Sequence, residues 1–196
     1  MMRKIEREPN GTGRFAPGQD LVIAGAIAKE GAQAALKQKR EVLESRFCGA
    51  FLRKLEESME EKLNLNPEIL MSLGATEWEE VKEGGILAAL WNLSGAYEQG
   101  ISFSLLKIPV RQEIIEVCEL LDLNPYRLRS GECMLIAADH GGNLVYGLEA
   151  MGIRAAVIGR VEPGISRKMT GAGGTGFLER PQPDEIQKIT EEDYHA

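Results

Sequence analysis

The sequence predicts an α+β domain in which helices layer against a sheet. Three observations lead there. Short β-branched or alternating runs recur at Gln19 to Ala24, Ile101 to Leu105 and Ala155 to Val161. Between them lie segments with apolar residues at three- and four-residue steps, clearest from Glu41 to Leu63. The two kinds of segment alternate at unequal lengths, with no internal repeat and no low-complexity block.

In chain order, residues 1–17 are polar, contain Gly11 and Gly13, and read as an N-terminal arm ending at the Pro17-Gly18 turn. Gln19 to Ala24 reads as a strand, and alanine-rich Gly25 to Leu36 as a helix. Glu41 to Leu63 reads as one helix, its stripe made of Val42, Leu43, Phe47, Ala50, Phe51, Leu55, Met59 and Leu63, closed by Asn64 and Asn66-Pro67. Glu68 to Thr76 fits neither pattern. Ile86 to Tyr97 is apolar and helical, and Ile101 to Leu105 alternates as a half-buried strand does. Pro109 is expected at the first position of a helix over Val110 to Leu121, followed by a turn at Asp122 to Pro125. Gly131 leads a strand through Cys133, Leu135 and Ala137, and His140 to Asn143 is a turn before a helix over Leu144 to Met151 with Gly152 at its end. After the strand Ala155 to Val161, a hairpin spans Ile165 to Leu178 with Thr170 to Gly176 as its loop. Asp184 to Ile189 reads as a short turn and the last residues as a frayed tail.

Composition narrows the function classes. The net charge of −7 disfavours nucleic acid and anionic membrane as partners. No apolar run approaches the roughly 20 residues that span a bilayer, and the N-terminus lacks the apolar stretch of a secretory signal, so a cytoplasmic protein is expected. Cys48, Cys118 and Cys133 form no metal pattern and read as buried, reduced thiols. With only His140 and His195, a histidine-based metal site or catalytic triad has little to work with, and no catalytic residue is assigned.

The stretch most open to a functional reading is Glu77 to Gly100. It begins with Glu77, Glu79, Glu80 and Glu83 and passes through Gly84-Gly85 into the helix. Paired glycines at a helix start leave N–H groups free and allow close approach, the makings of an anion site; the ordinary alternative is tight helix–strand packing. The carboxylates Glu80 and Glu83 suit a divalent metal, or else simply favour a helix N-terminus. In Thr170 to Gly176, Gly173 and Gly174 would supply N–H groups to a phosphate nest, or form a hairpin tip; the Gly-Lys-Ser/Thr of a P-loop is absent. Trp78 and Trp91 read as core or interface residues.

Five segments, DLVIAGAIAKEGAQ (20–33), EVKEGGILAAL (80–90), 107–138, GIRAAVIGRV (152–161) and FLERPQPDEIQKI (177–189), together resemble the C-terminal domain of the aminoimidazole-ribonucleotide synthetase-related superfamily. The likeness is greatest to its hydrogenase-maturation carbamoyl dehydratase member and covers residues 18–190, leaving 191–196 as a tail. It implies the layered helix/sheet fold of that domain and makes part of 68–76 a strand running into the acidic corner. It also implies a domain that closes over nucleotide phosphates held by a separate N-terminal half, for which residues 1–17 are too few. In the family, the corner carries Asp and a basic residue where this chain has Glu80 and Glu83, and the first loop keeps Gly25 and Gly31 but has Ala28 and Glu30 for a Gly and a His. Two like charges roughly 5 Å apart at an effective dielectric near 20 repel by about 3 kcal/mol, so Glu83 opposes a polyphosphate. The expectation is a binding, regulatory or assembly module without cofactor of its own, acting as a homo-oligomer or with a separate partner protein. The alternative is one subunit of a split enzyme that uses ATP and Mg²⁺ once another chain supplies the nucleotide-binding half.

Overall fold

The computed structural model describes residues 8–191; residues 1–7 of the expected arm and 192–196 of the expected frayed tail lie outside them. The first element is strand β1 (Asp20–Gly25), an interior strand of the sheet. The loop after it leads to α1 (Lys29–Gln38), then α2 (Arg40–Arg46), α3 (Gly49–Glu60) and α4 (Pro67–Ser72). Strand β2 (Ala75–Glu80) runs into α5 (Gly85–Ala96), and β3 (Gly100–Ser104) precedes α6 (Gln112–Leu120). The rest is β4 (Cys133–Ala138), α7 (Gly141–Ala150), β5 (Ala155–Glu162), the hairpin β6 (Arg167–Gly171) and β7 (Gly174–Phe177), and α8 (Ile186–Glu191).

The seven strands form one sheet in the order β2-β4-β1-β5-β3-β6-β7. Every pairing is antiparallel except β3 with β6. Alternate residues of a strand face opposite sides. Thus Leu21 and Ile23 join Leu135 and Ala137 in the larger core, beneath α1, α3, α5 and α6. Val22 and Ala24 join Ile136 and Ala138 in a smaller one under α4 and α7, with Leu70, Leu144 and Leu148. Helices on both faces explain why β1 and β4 are continuously apolar rather than alternating.

Several expectations need correction. The predicted helix 41–63 is two helices, because Phe47 and Cys48 adopt extended backbone between α2 and α3. The break swings Phe47 onto Phe51, their rings stacked 4.2 Å apart, while Val42 is left exposed. Cys48 at this joint is exposed, not buried; Cys118 and Cys133 are buried as expected. Asn66-Pro67 opens α4 rather than closing the helix before it: the Asn66 side chain accepts the Ile69 N–H at 2.8 Å, and Pro67 needs no donor in the first turn. Pro109 is not helical, since α6 starts after Arg111. His140 precedes α7, which already begins at Gly141. The supposed loop Thr170 to Gly176 is mostly strand, with only Ala172 and Gly173 between β6 and β7. The supposed turn at 184–189 becomes α8. No helix among the described residues is long and apolar enough to cross a membrane.

The arm is bound rather than loose from Asn10 onward. Thr12 donates its N–H to the Thr76 carbonyl at 2.8 Å, Arg14 grips Asp139 with contacts of 2.6 and 2.7 Å, and Phe15 is buried against Tyr97. This covers the otherwise open edge of β2.

Candidate anion-binding corner

The carboxylates of the acidic stretch do not crowd the first turn of α5. Glu77, Glu79 and Glu80 belong to β2, and α5 has no acid in its first turn. Glu77 is fully buried; its carboxylate accepts the N–H groups of Asn10 at 3.0 Å and Gly11 at 3.3 Å, so it fastens the arm. Glu80 pairs with Lys82 at 2.6 Å, and Glu83 is exposed. Among the described residues no three acidic, histidine or cysteine side chains gather as metal ligands would.

The chain turns from β2 into α5 at Val81, whose N–H reaches the Cys133 carbonyl, and then through Gly84 at φ 76° and Gly85 at φ 67°. Only glycine adopts this left-handed backbone without strain. The surroundings are equally restrictive. A Cβ on Gly85 would lie 2.5 Å from the Tyr126 carbonyl oxygen and 2.8 Å from that of Leu128; one on Gly84 would lie 2.8 Å from the Cβ of Ala88. The Gly84 N–H, one of the donors at this corner, is already taken. It donates to Oδ2 of Asp184 at 2.8 Å, and Asp184 is buried with its Oδ1 accepting the Ile186 N–H at 3.0 Å. Beside this contact is a cavity of about 170 Å³ between Gly84, Leu87, Phe177 and Arg180.

Gly25 and Gly31 approach the same part of the chain. A Cβ on Gly31 would meet the Leu128 side chain at 2.5 Å, and one on Gly25 the Glu132 carbonyl at 2.3 Å. The loop between them is stitched to that segment by Ala28 N–H to Ser130 Oγ at 2.9 Å and Gly31 N–H to the Arg129 carbonyl at 3.1 Å. Residues 126–132 therefore lie between the two glycine pairs. Gly173 and Gly174 stand apart at the far edge of the sheet, with nothing near either Cα face.

Two features have no local signature along the chain. Asp184 lies 100 residues from Gly84; the flanking Pro181 and Pro183 suggest only an extended approach. A second cavity of about 210 Å³ opens between the Gly25–Lys29 loop and the linker 61–63. Lys29 is buried there and its ammonium contacts the Glu61 carbonyl oxygen. Burial holds its pKa below the usual lysine value, with Glu132 and Glu61 opposing that shift.

No protein-family model matches the sequence, and no curated protein does. Solved structures do. Escherichia coli HypE is 22% identical, with 91% of this chain covering 55% of HypE at a TM-score of 0.71. A HypE–HypF complex gives 19% identity, 86% and 54% coverage and 0.64. The thiamine-monophosphate kinase of Stenotrophomonas maltophilia K279a gives 19%, 80% and 51% coverage, and 0.61. The chain thus spans about half the length of these proteins. At this level of identity the match speaks for architecture, and the chain has the α+β fold shared by aminoimidazole-ribonucleotide synthetase-related proteins, the hydrogenase-maturation protein HypE among them.

Proposed function

We propose that the chain is a non-catalytic binding, regulatory or assembly module of hydrogenase-maturation type, cytoplasmic, acting by self-association or on a separate partner protein. The observation that carries this reading is the bond from the Gly84 N–H to Asp184. A helix N-terminus is a ready anion site only while its donors are free. Here an internal carboxylate already occupies one donor of the corner, the Gly84 N–H, and Glu83 adds a second negative charge next to it in sequence. A polyphosphate would have to displace one anion and approach another. The HypE–HypF complex among the similar structures supports a partner protein. Calorimetry with ATP and Mg²⁺ on the purified chain is expected to give no binding heat; micromolar affinity would overturn the proposal.

A second reading is favoured by the extent of the match, since the similar structures continue well beyond the region this chain covers. In it, the chain is one subunit of a split enzyme, and another protein supplies the ATP- and Mg²⁺-binding half. Co-purification of such a partner, with ATPase activity appearing only on mixing, would favour this reading over the first.

A further inference from the structure

The cavity beside the Gly25–Lys29 loop is lined by six charged side chains drawn from five parts of the chain: Lys29, Glu61, Lys62, Arg111, Glu132 and Arg154. Four cations and two anions leave a local charge of +2 (4 − 2), in a protein whose net charge is −7. The two carboxylates are engaged by the protein's own donors. Glu132 accepts the Leu63 N–H at 2.5 Å and the Lys62 ammonium at 3.4 Å, and Glu61 pairs with Arg111.

The cations are not equally engaged. Lys29 is buried, yet its one contact is a backbone carbonyl, so an ammonium with three donors lacks a countercharge within ion-pair distance among the described residues. Arg111 spends one nitrogen on Glu61, while its Nε is buried without a hydrogen-bond partner. The guanidinium of exposed Arg154 has no partner among the described residues. Burying cations without compensation is costly. Three cationic groups with spare donors around one cavity call for a ligand with several acceptor oxygens and about two negative charges. A phosphate group has both, and arginine's planar fork suits its oxygens.

We infer that this cavity is a binding site for a phosphate dianion, free or as a small monoester, held by Lys29, Arg111 and Arg154. This deepens the binding-module reading and rests on it. The two fail separately, because nucleotide at the glycine corner would perturb Gly84 and Gly85, whereas phosphate here perturbs Gly25, Leu63 and Gly152.

The test is an amide ¹H–¹⁵N titration of the full chain with inorganic phosphate, and in parallel with methyl phosphate, at constant ionic strength. Saturable shifts are expected at Gly25, Ala26, Leu63 and Gly152, and Lys29→Met should abolish them. Arg154→Gln, an exposed change that leaves the core untouched, should weaken binding about tenfold, as loss of one charged hydrogen bond does. Tighter binding of methyl phosphate identifies a monoester site, and tighter binding of inorganic phosphate a site for the free ion; either supports the inference. It is overturned by no saturation up to about 20 mM, far weaker than a useful site, by unchanged affinity in Arg154→Gln, or by shifts centred on Gly84 and Gly85.

Discussion

The carboxylate of Asp184 accepts the backbone N–H of Gly84 at 2.8 Å, joining the segment before the last helix to the corner between β2 and α5. The same carboxylate caps α8 through the Ile186 N–H, so one buried side chain ties two helix starts together.

Removing that carboxylate should be felt in stability before anything else. Asp184→Ala leaves two N–H groups without an acceptor, at a cost of about 1–3 kcal/mol. Asp184→Asn keeps an acceptor oxygen and should cost less. Urea denaturation of the three proteins checks the order; equal stability of Asp184→Ala and wild type would mean that water replaces the carboxylate freely. With the corner vacated, Glu83→Arg in the Asp184→Ala background should raise phosphate affinity at Gly84, while Glu83→Arg alone should not.

The glycines separate into those required by packing and those that are not. Gly85→Ala combines a positive φ with a Cβ 2.5 Å from a backbone oxygen that cannot move aside as a side chain end would. The expected loss is about 3 kcal/mol, from strain and overpacking together. Gly173→Ala meets nothing within 4 Å and should change stability by less than about 0.5 kcal/mol. Thermal unfolding distinguishes them, and similar melting temperatures for the two variants would contradict the geometry.

The thiols should react in two classes. Cys48 is exposed at the start of α3, where the N–H groups of Phe51 and Ala50 favour its thiolate and lower its pKa. Burial pushes Cys118 and Cys133 up to about 12. A chromogenic disulfide at neutral pH should therefore titrate Cys48 quickly in the native protein and the other two only after denaturation. Fast reaction of all the thiols would show that the core opens.

Asp139 should titrate low. The Arg14 guanidinium beside it holds its carboxyl below the usual range, and Gln19 adds to this. A carboxylate with a depressed folded pKa contributes stability that is present above its unfolded value, about 3.9, and is lost as pH falls through the folded value. The pair is half exposed, so the contribution is small, about 0.5 kcal/mol or less. A ¹³C titration of the Asp139 carboxyl checks the sign: its midpoint should rise toward the usual range in Arg14→Ala. An unchanged midpoint would mean that the arm is not seated in solution.

Much of the framework was legible because it is written locally. Strands β1, β4 and β5 appear as apolar runs bounded by Gly or polar turns, and α5 follows its paired glycines in both readings. The joint at Phe47–Cys48 was not legible, because the apolar spacing continues across it and both helices send part of that stripe, Leu43 from α2 and Leu55 and Met59 from α3, into the core. Strand β2 was hidden for the opposite reason. Its sequence, ATEWEE, is poor in strand formers, and it is held by β4 on one side and by the arm bonded to Glu77 and Thr76 on the other.

The sequence by itself determined the alternation of elements, the apolar faces that build the two cores, and the glycines at Gly84 and Gly85 that permit a sharp entry into α5. Periodicity and backbone freedom are properties of neighbouring residues, so they can be read along the chain. Only the tertiary structure decided what those glycines face and where the spare charge collects. Asp184 bonds to Gly84, and Lys29, Arg111 and Arg154 line one cavity, because folding gathers residues far apart in sequence. Hydrogen bonds and ion pairs act over a few ångströms of space, and separation along the sequence carries no record of that distance.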